Sequence, residues 1–135
     1  MEHLHSDVCG PVSVTTRDGK CYFISLVNDY SCYAMVYLLC KDVLQHFLWS
    51  APLGRKCCFL HTDQGGEYKN DAVAKLLFEH GITHETMSSH MPEHNRVAKR
   101  FNCTIIDMVR CMLLNSSQPK NMWGEAIFLA VAINN

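Results

Sequence analysis

The residue pattern predicts an α/β fold in which strands come first in succession and helices then alternate with strands. Three observations carry this expectation: β-rich runs punctuated by turn signals as far as Cys40, a Gly-Gly pair soon after the apolar run Cys57–Thr62, and apolar residues at helical spacing in much of the chain beyond that pair.

Taken in order, Arg17-Asp18-Gly19-Lys20 is a tight-turn signal between an extended segment over residues 12–15 and a β-rich run over 21–27, which predicts a hairpin. Asn28-Asp29-Tyr30-Ser31 supplies a second turn, and residues 33–40, apolar almost throughout, predict a third strand buried on both faces. Residues 41–49 are helical in pattern, and Pro52 and Gly54 end that helix after about two turns. Polar, Gly and Pro content over 50–56 predicts the least ordered part of the chain.

Residues 57–62 predict a fourth strand, and Gly65-Gly66 lets the backbone turn sharply after Asp63. Asn70 or Asp71 can cap a helix whose positions Val73, Leu76, Leu77 and His80 recur at three and four, and Gly81 stops it. Residues 82–85 predict a short strand. Pro92 sits near the start of a long helix with the stripe Val97, Phe101, Ile105, Met108, Val109 and Met112, while Asn95, Lys99 and Asn102 share another face. Pro119 opens a last helix that reaches the final residue without a cap, which we read as truncation.

The length of 135 residues bounds the chain to one domain, residues 1–135, and 48% hydrophobic with 19% charged residues is an ordinary globular composition. A net charge of -1 gives no overall field to draw in DNA, so nucleic-acid contacts must come from local basic clusters. The first residues have no basic, apolar leader, and no stretch reaches the roughly 20 apolar residues of a membrane span. The expectation is an intracellular protein, nuclear if functional, with no membrane partner. Without an export signal the eight cysteines read as reduced thiols, and no C-x-x-C pair offers a structural zinc site.

An aspartate at residue 7 on an early strand and another at the end of the fourth strand can assemble a two-carboxylate metal site, or can be two solvated strand-end aspartates. The surrounding words are more specific. His5-Ser6-Asp7-Val8-Cys9-Gly10-Pro11, Asn28-Asp29-Tyr30-Ser31 and His61-Thr62-Asp63-Gln64-Gly65-Gly66-Glu67-Tyr68 resemble successive signatures of copia-type retrotransposon integrase cores. The resemblance continues through residues 92–100 to Met112-Leu113-Leu114 and residues 119–126, so it covers nearly the whole chain in order.

That resemblance implies a ribonuclease H-like fold, a five-stranded mixed sheet flanked by helices. It also implies a strand-transfer site of Asp, Asp and Glu with two Mg2+ ions, acting on the DNA of element ends and target, in a core that commonly forms a homodimer. Asp7 and Asp63 carry over, Asp7 bridging both ions and Asp63 completing one. In many members thirty-five residues separate the family's second aspartate from its glutamate, and at that spacing from Asp63 stands Lys99. The family usually has Gly at Arg96, Arg at Cys32 and Asp at Asn28; each change, like Glu to Lys, follows from a single transition, a pattern that looks like decay of a genomic copy. The stretch between Cys40 and Cys57 also looks short, and the family's zinc-binding module and basic C-terminal part are expected to be missing.

Lys99 therefore predicts an inactive core with weakened Mg2+ binding. Glu93, about 120° around the helix, is badly placed for rescue, and Glu67 falls in the turn after the strand. Two other readings stand beside it. A domesticated module could keep the fold and bind nucleic acid through Asn95, Arg96, Arg100 and Lys69, or these residues are a solvated polar face. His90-Met91-Pro92-Glu93-His94 fits the H-x-x-E-H pattern of some zinc peptidases, but Pro92 would break the helix that chemistry needs.

Overall fold

The computed structural model describes residues 2–40, 57–63, 71–86 and 96–135. Its strands are β1 (Glu2–Cys9), β2 (Tyr22–Asn28), β3 (Ala34–Leu39), β4 (Cys57–Thr62) and β5 (Thr83–Thr86). The helices are α1 (Asp71–Glu79), α2 (Arg96–Asn115) and α3 (Trp123–Asn134), with a 3-10 turn, Lys120–Met122, leading into α3. The strands form one five-stranded mixed sheet in the order β3-β2-β1-β4-β5. β1 pairs antiparallel with β2 and β2 with β3, while β1 runs parallel to β4 and β4 to β5. This is the mixed sheet with flanking helices expected of a ribonuclease H-like fold.

Strand alternation sends successive side chains to opposite faces, and here each face builds its own core. Leu4, Ile24, Leu26, Leu39 and Leu60 pack with Val73, Leu77 and Ile82 on the α1 side. Phe23, Val27, Ala34 and Val36 pack with Phe101, Ile105 and Val109 of α2 and with Trp123, Ile127 and Val131 of α3 on the other. Each fully buried aliphatic or aromatic side chain contributes about 1.5–3 kcal/mol. The α2 stripe keeps its predicted spacing, with Phe101, Ile105 and Val109 buried and Val97, Met108 and Met112 packed at its margins.

Three local expectations are corrected. Residues 12–15 are not a strand: they lie in the connection from β1 to β2, so the hairpin partner of β2 is β1. The turn signal acts inside that connection, where Thr16 N–H donates to Lys20 O at 2.9 Å and Gly19 N–H to Thr16 O at 3.0 Å. β3 is an edge strand with Met35, Tyr37 and Leu38 half-buried; the strand buried on both faces is β2, from Phe23 to Val27. His80 is exposed beyond the end of α1, where Gly81 takes φ +66° and Ile82 N–H returns to Leu77 O at 2.8 Å. The helix expected over 41–49 and residues 50–56, 65–70 and 92–95 lie outside the described residues.

α3 fixes the sheet's other parts. Gly124 lets it press close: a Cβ there would meet Leu38 Cδ1 at 2.7 Å and Thr16 Cγ2 at 2.9 Å. Trp123 Nε1–H donates to Val14 O at 2.7 Å and so ties down the β1–β2 connection. At its far end, Asn135 pairs with the backbone of Ala34, its Oδ1 accepting from the N–H at 2.8 Å and its Nδ2 donating to the carbonyl at 2.9 Å.

Candidate metal centre at the end of two parallel strands

β1 and β4 run parallel, so both carboxyl ends open on the same edge of the sheet. Their register pairs Leu4 with Leu60 and His5 with His61. Carried on for two residues, this register would set Asp7 across from Asp63, the residue directly after β4, with neighbouring strands about 4.8 Å apart. Asp7 is 9% exposed, whereas Asp63 is half-buried and nearer solvent. Alternation puts Asp7 on the face covered by α2, and the helix meets it there: Asn102 Nδ2 donates to Asp7 Oδ2 at 2.9 Å.

Asn102 is itself 4% exposed, and its Oδ1 is buried with no hydrogen-bond partner. A carboxylate only accepts, so the amide must turn its nitrogen to Asp7, which leaves the oxygen orphaned. Lys99 lies one turn nearer the start of α2 and is solvent-exposed. Arg96 and Arg100 share the exposed side of the same turns. Helical spacing alone puts Asn102 on a polar face and gives it no role; its three-residue distance from Lys99 was the available signal. Asn95, Lys69, Glu67, Glu93 and the histidines at 90 and 94 lie outside the described residues.

A second group has no counterpart in the sequence reading. On the same sheet face, two residues before each aspartate, His5 and His61 stack with ring centroids 5.0 Å apart. His3 stacks on His61 at 5.3 Å and on Phe59 at 4.6 Å. His3 Nδ1 and His61 Nε2 are 3.0 Å apart, and His5 Nε2 lies 3.1 Å from Asp29 Oδ1. His61 Nδ1 is 3.2 Å from Glu85 Oε2, although not in line for a hydrogen bond. The His3-x-His5 alternation on a strand was the signal for this row.

Burial lowers the His61 pKa, and His5 and His3 lower it further against the opposing pull of Glu85 and Asp29. Burial alone lowers that of His84, whose Nε2 is 2.8 Å from Thr62 Oγ1. Both imidazoles resist protonation in the fold and accept it freely when unfolded. Their contribution is therefore complete above the ordinary histidine value of about 6.5 and is lost as pH falls through and below it. The melting temperature is expected to drop between about pH 7 and pH 5, and His84→Gln, which keeps a polar partner for Thr62, to flatten that drop. An equally steep acid limb in His84→Gln would remove His84 from the account. At Cys9, burial first and then Asp7 and Cys103 raise the thiol pKa, which keeps it from acting as a reactive thiolate.

Mg2+ takes oxygen ligands, commonly one or two carboxylates with water and substrate phosphate making up the rest. Asp7, Asp63 and the orphaned Asn102 oxygen fit that demand for one ion. Among the described residues, no three His, Cys, Asp or Glu side chains converge on a point, so the three-carboxylate set for two ions is not assembled from them. Cys9, Cys21, Cys32, Cys40, Cys58, Cys103 and Cys111 are free thiols, and no described helix is long and apolar enough to cross a membrane.

Comparison with known proteins gives this geometry its setting. Residues 1–92, which include both aspartates and all five strands, match the integrase core domain family. Over 142 aligned positions, more than its own length, the chain is 39% identical to a retrovirus-related Pol polyprotein from transposon TNT 1-94 of Nicotiana tabacum, matched over the whole chain and 11% of the relative. It is 30% identical to a Pol polyprotein from transposon RE2 of Arabidopsis thaliana, and 28% identical to the transposon Ty1-NL2 Gag-Pol polyprotein of Saccharomyces cerevisiae. Those matches also cover the whole chain, which spans roughly a tenth of the length of these relatives. With the sheet order and these matches together, the chain belongs to the integrase core domain family, as found in copia-type retrotransposon Pol polyproteins.

Proposed function

We propose that this chain is an integrase core that engages DNA at the Asp7–Asp63 edge through a divalent cation but does not join DNA ends. The observation that supports the reading is the β1–β4 register, which, carried on for two residues, would set the two aspartates opposite each other, while α2 offers an amide and a lysine, not a third carboxylate. When bound, a divalent ion polarises a phosphoryl oxygen and lowers the pKa of bound water. Asp7, held by Asn102, and Asp63 would hold that ion. Arg96 and Arg100, exposed on the first turns of α2, would take phosphates beside it.

The same reading covers DNA partners in the nucleus and a second copy of the core, for which α3 offers the exposed Phe128, Leu129 and Ile133. DNA binding tests its first step. Fluorescence polarisation with a short duplex should show Mg2+-dependent binding that weakens with salt. The double variant Arg96→Gln/Arg100→Gln should reduce the salt slope by about 2, since each phosphate contact contributes close to one. Binding with an unchanged slope would remove these arginines, and no binding at all would remove the DNA-engaging role.

A further inference from the structure

We infer that Asn102 Oδ1 is the third protein oxygen for the divalent ion at Asp7 and Asp63, in place of the carboxylate that Lys99 does not supply. The inference rests on the proposed metal-holding role of the two aspartates and deepens it. Three facts converge on this atom. Asn102 Nδ2 donates to Asp7 Oδ2 at 2.9 Å, so its amide already lies at the Asp7 carboxylate. Its oxygen is buried with no hydrogen-bond partner, and an unsatisfied buried acceptor costs about 1–3 kcal/mol, a penalty that a cation would relieve. Lys99 is exposed and carries no lone pair that can coordinate in its charged form, so it offers the ion nothing.

The amide has two ends with two tasks. Its Nδ2 keeps its hydrogen bond to Asp7 Oδ2 and holds that carboxylate still. Its Oδ1 turns the buried side of the site into a ligand, and Asp63, nearer solvent, closes the other side. An amide oxygen is neutral, so the set Asp-Asp-Asn carries one negative charge fewer than Asp-Asp-Glu. It should hold a single ion, and hold it more loosely than a three-carboxylate set would.

Mn2+ titration followed by electron paramagnetic resonance, on the full chain, reads ion occupancy without any catalytic assay. The natural chain should bind one Mn2+, Asn102→Leu should bind at least tenfold more weakly, and Asp63→Asn should lose the site. Because Asn102→Leu removes a buried hydrogen bond, which can itself prevent folding, a second measurement uses the unmodified chain. On Mg2+ addition, the side-chain 13Cγ resonance of Asn102 should move downfield in step with occupancy. Asn102→Leu binding within twofold of the natural chain, or a 13Cγ resonance that stays in place as the ion binds, overturns the assignment. If instead Asp63→Asn binds as the natural chain does, the ion is elsewhere and the proposed aspartate site itself fails, whatever Asn102 does.

Discussion

In Mg2+ and with a donor duplex, the natural chain is expected to join no DNA ends above the level of an Asp63→Ala control. Two carboxylates about 4 Å apart repel by roughly 4 kcal/mol at an effective dielectric of 20, and cations let them coexist. A third carboxylate deepens that demand and draws in a second ion; a lysine at residue 99 lowers it and repels the ion. An ammonium can offset negative charge, but it gives no coordination position and activates no water. Lys99→Glu should therefore bind Mn2+ at least tenfold more tightly than the natural chain. Activity need not return with it, because Arg96 still stands where the family usually has glycine. Strand transfer by the unmodified chain above the control would show that another group completes the catalytic set.

Ile105→Ala is expected to cost about 2–5 kcal/mol of stability and to lower the melting temperature by on the order of 10 °C. Ile105 is fully buried in the core that joins α2 and α3 to β2 and β3, one helical turn after Asn102. Truncating it leaves a cavity beneath the part of the helix that brings Asn102 to Asp7, so the loss should reach the Asn102–Asp7 hydrogen bond as well as the fold. Chemical denaturation of the variant gives the number. A loss below about 1 kcal/mol, under the usual range for emptying a buried aliphatic site, would mean that α2 is not seated on the sheet as described.

Much of the architecture was readable because local and long-range signals agreed. The run Cys57–Thr62 is bounded by β-poor sequence on both sides, and β4 has those limits. Asp7 and Asp63 could be paired because each sits in a distinctive word, and the topology then makes their strands neighbours. Residues 12–15 misled because Val-Ser-Val-Thr alternates as a half-buried strand does, whereas the chain uses the stretch as a tether for Trp123. β3 misled because Ala-Met-Val-Tyr-Leu-Leu is apolar enough for the middle of a sheet; its edge position depends on the order of all five strands, which no local window contains. Asn102 was missed for a related reason. Helical spacing shows that it neighbours Lys99, but only the docking of α2 on β1 shows that the amide, and not the lysine, is the side chain that contacts Asp7.

The Asn135 amide has a consequence for association. An edge strand presents bare N–H and C=O groups, a ready template on which a strand from another molecule can polymerise. By antiparallel alternation, the outward-facing groups of β3 belong to Ala34, Val36 and Leu38. Asn135 occupies both groups of Ala34, so its side chain stands in for the first residue of a sixth strand. A strand arriving from solution therefore meets a ladder whose first rung is already taken.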